Sequence, residues 1–381
     1  MAIEKGKRVE PLFLSQADAR TIIQDYCVEA WDDPLSTQQV DLLISALRAQ
    51  FWISAKDGEG EIGATRLGGA PDLPRQMSWP IRAAMPEYAK LAADDRLPNR
   101  WIARQAGEAV PFEFVAQIDL GEAGQYPHHG QGLPRTGRLL FFVDVALLMH
   151  RPQGNRDACL VLYDATATSE LERLSIPLQF SAMEAWWRGV DPEPVDGTAD
   201  AAATHDGPTG DAAAELRKPF VYPGRAMQLV PIFALPDEHA IEVGQDAQLS
   251  ALVEDDAAGG HYRLLIANDV GPFTADPDDR RVTQPWLLRE ARYNRFLGTP
   301  QPMQDDPRFD AISREERYPY PWDDARTVAM AAKADEFQLL LQISVADLSQ
   351  EQTEGMFYFL VRKDALAKAD FSDCCVTYQQ T

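Results

Sequence analysis

Two glutamines stand inside strand-like apolar stretches and are the first candidates for a binding site. Gln117 lies within Phe114–Leu120 and Gln342 within Leu339–Val345. An amide among apolar neighbours needs hydrogen-bond partners, because leaving it buried and unpaired costs about 1–3 kcal/mol. In the simpler interpretation, each glutamine holds a neighbouring loop or strand edge in its own half of the chain. In the sharper one, both glutamines face a shared cleft.

Charged and aromatic side chains extend this candidate cleft. Asp119 and Arg138 would supply polar groups, and pockets tend to form where two structural units meet. Aromatic rings in proline-rich connections either line a groove or fill gaps between strands and loops, and filling is the commoner role. The predicted ligand-binding residues are Gln117, Asp119, Arg138, Gln342, Trp79 and Trp322.

Signatures of common catalytic and metal sites do not occur in the sequence. His128-His129 has no further ligands at metal-binding spacing, so we interpret it as a polar loop. Gly68-Gly69 is followed by prolines, which favours a structured loop over a dinucleotide site, and Gly259-Gly260-His261 is interpreted as a turn. Adjacent acids such as Asp255-Asp256 are typical of solvated loops. The sequence predicts no cofactor and no metal, and it leaves catalysis open while leaning against it.

Helices are expected first in the chain and strands after them. Helical spacing of apolar residues predicts a helix from about Ser15 to Trp31, and Ser36 is expected to cap a second one. After Phe51–Ile53 the helical period fades, and short β-type runs take over between Gly and Pro. These runs are Glu113–Leu120, Arg138–Val145, Cys159–Tyr163, Met227–Phe233, Gln338–Val345, Met356–Arg362 and Cys374–Gln379.

Several short segments recur in the same order in the two halves of the chain, which indicates an internal duplication. We therefore predict an α+β fold, rich in antiparallel strands and built from two repeats, with N-terminal helices. Alternating residues such as Phe114, Ala116 and Ile118, or those between them, should face a common core. The matched segments are Leu67–Pro71 with Leu297–Pro300, Phe114–Leu120 with Leu339–Val345, and Gly137–Asp144 with Gly355–Arg362.

The predicted organisation has an N-terminal helical segment at 1–50 and a duplicated domain at 51–381. The first repeat covers about 51–180 and the second about 217–381. Residues 190–216 contain no large apolar residue after Val195, so they cannot offset their ordering entropy and are expected to form a flexible insertion.

Charge and cysteine content narrow the functional classes. The 381 residues include 59 acidic and 36 basic side chains, giving a formal charge of −23. Such a chain repels phosphate backbones and anionic lipid, which disfavours nucleic-acid and membrane partners and favours a basic protein. Four cysteines are too few for a disulfide framework, and no signal peptide is recognisable, so we expect a cytoplasmic protein.

The same motifs resemble a known family. Gly68-Gly69-x-Pro-x-Leu-Pro, Trp79-Pro80, Phe114–Leu120 and Leu133-Pro134 with Gly137–Phe142 are similar to the YwqG-like proteins, the DUF1963 family of unknown function. The second half continues the resemblance, although Ser344-Val345 and Ser349–Glu354 depart from its usual residues. The resemblance implies a duplicated α+β fold and supplies no established activity.

Two functional hypotheses therefore remain. The first is a non-catalytic binding protein that engages a basic protein partner, as an acidic immunity-like protein would. The alternative is an enzyme or small-ligand protein with a cleft between the repeats. Convergence of Gln117, Asp119, Arg138 and Gln342 in one concavity would favour the alternative, and dispersed, locally paired side chains would favour the first. The oligomeric state is left open.

Overall fold

The structure is a computed structural model that describes residues 20, 23, 35–58, 60–88, 100–126, 132–150, 154–187, 221–268, 294–316, 324–349 and 355–380. Trp322, His128-His129, most of the first expected helix and the 190–216 segment lie outside these residues. Within the described part, no helix is long and apolar enough to cross a membrane.

The described helices alternate with strands along the chain. Ser36 caps the first of them through a capping box, in which its Oγ accepts from Gln39 N and its N donates to Gln39 Oε1 at 2.8 Å. In chain order the helices are α1 Thr37–Ala46, α2 Arg100–Gly107, α3 Leu120–Ala123, α4 Val145–His150, α5 Gln179–Trp187, α6 Ile241–Gln245, α7 Ala247–Glu254, α8 Asp256–Asn268, α9 Pro307–Glu316, α10 Asp324–Ala334, α11 Val345–Ser349 and α12 Lys363–Leu366.

Ten of the strands form one antiparallel sheet in the order β14-β13-β12-β11-β1-β10-β2-β6-β7-β8. The predicted α+β, β-rich fold class is thereby confirmed. The strands are β1 Arg48–Ala55, β2 Arg66–Leu67, β3 Asp72–Pro74, β4 Ile81–Arg82, β5 Val110–Pro111, β6 Glu113–Asp119, β7 Arg138–Val143, β8 Cys159–Asp164, β9 Leu171–Arg173, β10 Arg225–Ala234, β11 Arg295–Phe296, β12 Phe337–Ser344, β13 Met356–Arg362 and β14 Cys375–Gln379. Strands β3 and β9, and β4 and β5, form two small separate pairs.

The register of the sheet is the same in the first half (48–187) and the second half (221–379). Arg66 pairs with Gln117 between β2 and β6, and Arg295 pairs with Gln342 between β11 and β12. The pairings of β6 with β7 and of β12 with β13 shift register at matching positions. These pairings support the internal duplication and the proposed repeat boundaries, both of which stay predictions.

The first strand of each half pairs with the other half. β1 lies between β10 and β11, and β10 lies between β1 and β2. Each half therefore contributes one central strand to its partner's side of the sheet.

One apolar core joins the two halves. It lies on the face of the sheet that carries Phe51 and Ile53, and both halves supply its residues. Phe141 of β7 and Phe359 of β13 occupy equivalent register positions and meet edge to face, with ring centroids 5.2 Å apart. Because both rings are fully buried, this contact lies in the interior between the halves.

A β-bulge interrupts the expected alternation of side chains in β6 and in β12. The register shifts between Phe114 and Ala116, so Phe114 packs in a separate first-half cluster with Trp79 while Ala116 and Ile118 face the shared core. Leu339 is displaced in the same way, into a cluster beside α9 and α10. An extra residue in a strand reverses the side-chain alternation beyond it.

The expectation that helical structure fades after residue 53 is wrong. Helices α6–α8 and α9–α10 occupy the second half, and Gly259-Gly260-His261 lies inside α8 instead of in a turn. Packing explains the outcome, since His261, Tyr262 and Leu265 are buried on one side of α8. Burial of a helix face outweighs the low helix propensity of glycine.

Candidate functional site

Gln117 is fully buried and holds a loop in its own half. Its Oε1 accepts from Asp72 N at 3.1 Å, and its Nε2 donates to Ala64 O at 2.9 Å and to Asp72 Oδ2 at 3.2 Å. Asp72 in turn pairs with Arg173 across β3 and β9. The amide thereby ties β6 to the segment that follows β2.

Gln342 forms the equivalent contact in the second half. Its Oε1 accepts from Gln301 N at 2.9 Å, and Gln301 follows β11 as Asp72 follows β2. Gln301 Oε1 accepts from Arg295 Nη2 at 2.8 Å. The two glutamines therefore serve matching loops, and four strands of the sheet separate β6 from β12.

Asp119 and Arg138 face each other across β6 and β7 but have different partners. Asp119 caps α3, where its Oδ1 accepts from Gly121 N at 2.8 Å. Arg138 pairs with Asp164 of β8 and donates to Thr166 O at 3.0 Å. Both side chains fix local structure at the end of the β6–β7 pair.

Trp79 fills space between a loop and the sheet. Its Nε1 donates to Phe112 O at 2.8 Å, and its ring packs against Phe180 at 5.7 Å between centroids. Gln117, Asp119, Arg138, Gln342 and Trp79 each have their own local partners, and Gln342 lies apart from the others; Trp322 lies outside the described residues. Their predicted ligand-binding role stays a prediction.

A groove in the second half is formed by described residues. It measures about 640 Å³ and lies between the segment before α6, helices α6–α8 and helix α10. We call it the helical groove. Its apolar lining consists of Ala240, Ile241, Val243, Val253, Phe309, Val328, Ala331 and Ala332.

Aspartate caps position the helices that form one wall of the groove. Asp246 accepts from Gln248 N and Leu249 N, and so begins α7. Asp255 accepts from Ala257 N and Ala258 N at the start of α8. Carboxylates at these positions stabilise the first turn of a helix. The same capping places negative charge beside the groove.

The rim of the groove is acidic. Glu238 and Glu254 line it, Asp246 and Asp255 adjoin lining residues, and Asp256 follows Asp255. Arg263 also lines it and pairs with Glu238, with Nε 2.7 Å from Oε2. On the α7–α8 side, Asp246, Glu254, Asp255 and Asp256 form no salt bridge with another described residue. Arg326 and Lys333 adjoin the α10 wall, and Lys333 pairs with Glu316.

Buried carboxyl groups near the groove have shifted pKa values. Burial raises the pKa of Asp237, although His239 N–H and the distant Arg295 oppose that shift. Glu242 behaves differently, because its hydrogen bonds and charge interaction with Arg308 outweigh burial and lower its pKa. Arg308 also pairs with Asp306, which accepts from Ile241 N and so anchors the start of α6.

Among its described lining residues, the groove has a serine–carboxylate contact but no serine–histidine pair. Ser250 Oγ donates to Glu254 Oε1 at 3.3 Å, and no described contact joins Ser250 to a histidine ring. No group of three or more potential metal ligands occurs in the part of the chain that the structure describes. The arrangement is suited to binding an apolar group next to positive charge.

The sequence analysis did not identify the groove, although two signals for it were present. Asp246 and Asp255 each stand at the start of an apolar-periodic segment, which is typical of a helix N-cap. Interpreting Asp255-Asp256 as a solvated loop and Gly259-Gly260 as a turn concealed α8. The lining itself combines residues from 238 to 332, so its assembly depends on tertiary packing.

A family model described as "Domain of unknown function (DUF1963)" matches residues 65–379. None of the curated proteins matches the sequence significantly. The match covers both halves of the ten-stranded sheet except for β1.

Proposed function

Because the chain belongs to the DUF1963 family, whose description assigns no activity, we propose from the site itself that the protein is a non-catalytic binding module. Its helical groove takes an apolar segment flanked by basic residues from a partner protein. The carrying observation is an apolar groove of about 640 Å³ with an acidic rim. The YwqG-like label, the immunity-like role and a cytoplasmic setting belong to the same proposal.

The shape of the groove favours a helical or extended segment of a partner. Val328 is 76% exposed on α10, while Phe309 and Ile241 are buried at the base. Amphipathic helices commonly bind grooves of this kind through a few apolar side chains. The exposed wall and the closed base together give such side chains a site of contact.

Charge supports a basic partner over an acidic one. The chain carries a formal charge of −23, and the α7–α8 side of the rim is acidic. Complementary charge increases association rates and disfavours acidic competitors. The cation Arg263 is already engaged by Glu238, so a partner's arginine or lysine has the remaining carboxylates to contact.

A defined peptide pair tests the proposal. One short amphipathic helical peptide carries leucines on one face and arginines on its flanks, and the matched peptide replaces the arginines with glutamates. Fluorescence anisotropy should show binding of the basic peptide alone, with an affinity that falls as salt is added. Equal binding of both peptides, or binding insensitive to salt, contradicts the proposal.

Two matched variants locate the binding surface. Val328→Arg places bulk and positive charge in the groove, whereas Leu178→Arg alters a side chain that is 70% exposed in the first half. Since both side chains are exposed, neither change should unfold the protein. The basic peptide should lose at least about tenfold in affinity with Val328→Arg and be unaffected by Leu178→Arg, a tenfold loss being about 1.4 kcal/mol. Equal effects of the two variants would refute the location.

The volume of the groove favours one alternative, a small apolar ligand. Ligand pockets commonly measure about 300–1,000 Å³, and the groove falls within that range. Decanol and decylguanidinium separate the two possibilities, since they share the same alkyl chain. Tighter binding of decylguanidinium supports the acidic-rim proposal, and tighter binding of decanol supports a small neutral ligand.

A further inference from the structure

Three buried side chains around β1 and β11 carry polar atoms that have no hydrogen-bond partner among the described residues. They are Gln50 (both amide atoms), Trp52 (Nε1) and Thr299 (Oγ1), and each side chain is at most 3% exposed. Gln50 and Trp52 lie two residues apart on β1, on the face opposite to Phe51 and Ile53. Their polar atoms therefore point away from the shared core.

The three residues belong to neighbouring positions of the sheet and the segment that follows β11. Gly298 packs directly on Gln50, because a Cβ at position 298 would lie 2.3 Å from Gln50 Oε1. Thr299 is the next residue in the chain. Arg295 pairs with Trp52 between β11 and β1 and is also buried. Gln50 and Trp52 thus share the outer face of β1, beside β11 and the segment that contains Thr299.

The equivalent region of the first half has no hydrogen-bonding side chain at the three corresponding positions, and the buried guanidinium group of Arg66 lies there instead. By sheet register, Gly224 corresponds to Gln50, Ala226 to Trp52 and Ala70 to Thr299. Arg66 Nη2 fills the space there, since it lies 2.6 Å from where a Cβ at Gly224 would stand. One half therefore has small apolar residues at the three positions where the other half has hydrogen-bonding groups.

Buried polar groups are nearly always hydrogen-bonded, and those without a protein partner commonly bond to a buried guest. Trp52 Nε1 needs an acceptor, and Gln50 needs both an acceptor and a donor. A group that accepts through oxygen and donates through N–H or O–H meets all three requirements.

We propose that Gln50, Trp52 and Thr299 form an internal binding site for a small uncharged guest with an oxygen acceptor and an adjacent donor. A primary amide has this chemistry, and water is the smallest molecule that has it. The guest accepts from Trp52 Nε1 and Gln50 Nε2, and it donates to Gln50 Oε1 and to Thr299 Oγ1. It needs no charge of its own, because the side chains of Gln50, Trp52 and Thr299 are all neutral.

A pair of threonine substitutions tests whether the hydroxyl of Thr299 is bonded to a guest. Thr65 is the reference, since its Oγ1 donates to Glu122 Oε2 at 2.8 Å and the residue is 1% exposed. Thr65→Val should lower the Tm, because it removes a paired buried hydroxyl. With a guest present, Thr299→Val should also lower the Tm, by about 2 °C or more. An unchanged or raised Tm for Thr299→Val, beside a lowered one for Thr65→Val, overturns the proposal.

Crystals of the full chain soaked in acetamide, in sodium acetate or in buffer alone identify the guest. Acetamide, or an ordered water in buffer alone, bonded to both Trp52 Nε1 and Gln50 supports the site. Acetate bound there in preference to acetamide refutes an uncharged guest. A protein acceptor contacting Trp52 Nε1 with no guest present refutes the site itself. None of these outcomes depends on the helical groove or on a partner protein.

Discussion

The two halves of the sheet share a register but differ in what they place on it. In the first half, Gln117 holds Asp72, and Asp72 pairs with Arg173. In the second half, Gln342 holds Gln301, a neutral residue that accepts from Arg295. The loop attachment is therefore common to both halves, while the charge of the residue it holds is not.

The structures that cover the outer face of the sheet also differ between the halves. The first-half outer face is covered by an apolar cluster that includes Trp79, Phe112 and Phe180. The second half instead carries α6–α10 and the helical groove, and its strand β11 pairs with β1, on which the polar side chains of Gln50 and Trp52 lie. The comparison teaches that strands in matching register act as a frame, and that the helices and the groove proposed to bind a partner lie in the second half.

Removing either ring at the centre of the shared core should have the largest effect. Phe141→Ala and Phe359→Ala should each lower the free energy of unfolding by about 3–5 kcal/mol, because each leaves a cavity in a fully buried region. Urea denaturation of both single variants and the double variant measures the coupling, expected at about 0.5–3 kcal/mol. Strictly additive losses would show that the ring contact does not join the halves energetically.

Breaking the two loop attachments should have a smaller and unequal effect. Gln117→Leu removes the partner of Asp72 N and of Ala64 O, and we expect a loss of about 2–3 kcal/mol. Gln342→Leu removes the partner of Gln301 N, for which we expect about 1–2 kcal/mol. Urea denaturation gives both values, and a larger loss for Gln342→Leu would reverse the comparison.

The substitution Glu113→Gln replaces a buried acid of the first half with the residue type at the equivalent position of the second half. Glu113 pairs with Val143 as Gln338 pairs with Val361. Burial, and then the charge of Asp144, raises the pKa of Glu113 well above its ordinary value of 4.5. The folded state therefore binds this proton more tightly than the unfolded chain does. Its contribution to stability is complete below pH 4.5 and is lost as the pH rises through the folded-state pKa.

Glu113→Gln should accordingly remove part of the pH dependence of stability. The variant should be more stable than the wild type at pH values above the folded-state pKa and gain nothing at acidic pH. The affected slope is at most about 1.4 kcal/mol per pH unit. Denaturation at a series of pH values measures it, and parallel curves for the two proteins would contradict the assignment.

The smallest effect is expected at the surface seam between the halves. Arg156 of the first half pairs with Glu315 and Asp373 of the second, and all three side chains are partly exposed. Arg156→Ala should lower stability by about 0.5 kcal/mol at low salt and less at high salt. Arg263→Ala, which breaks a pair within the second half, is the control. A loss that salt does not reduce would indicate a packing role for Arg156.

Strands were predictable because their signals are local. Alternating or continuous apolar residues between Gly and Pro identified β6, β7, β12 and β13 within one or two residues of their observed ends. The fold class followed from those strands. The bulge at Phe114 was not predictable, because a single extra residue leaves the apolar pattern of a fully buried strand unchanged.

The site was less predictable because its geometry arises from distant residues. The polarity of Gln117 and Gln342 was recognised, and the simpler interpretation, a loop held within each half, describes the observed hydrogen bonds. The helical groove requires α8, and the glycines of α8 predict a turn when packing is ignored. The exchange of β1 and β10 between the halves leaves no mark in either strand's own residues.

That exchange of strands also determines when β1 can pair during synthesis of the chain. The neighbours of β1 are β10 and β11, so a ribosome must add every residue from Arg48 to Arg295 before both edges of β1 can pair. At about 5–20 residues per second, synthesis of that length takes roughly ten seconds to a minute. During that interval the nascent first half holds a strand that its own sequence cannot complete. Neither half can therefore complete its strand pairing alone. If a gene were divided between the halves, the two encoded fragments would have to associate before the sheet was complete.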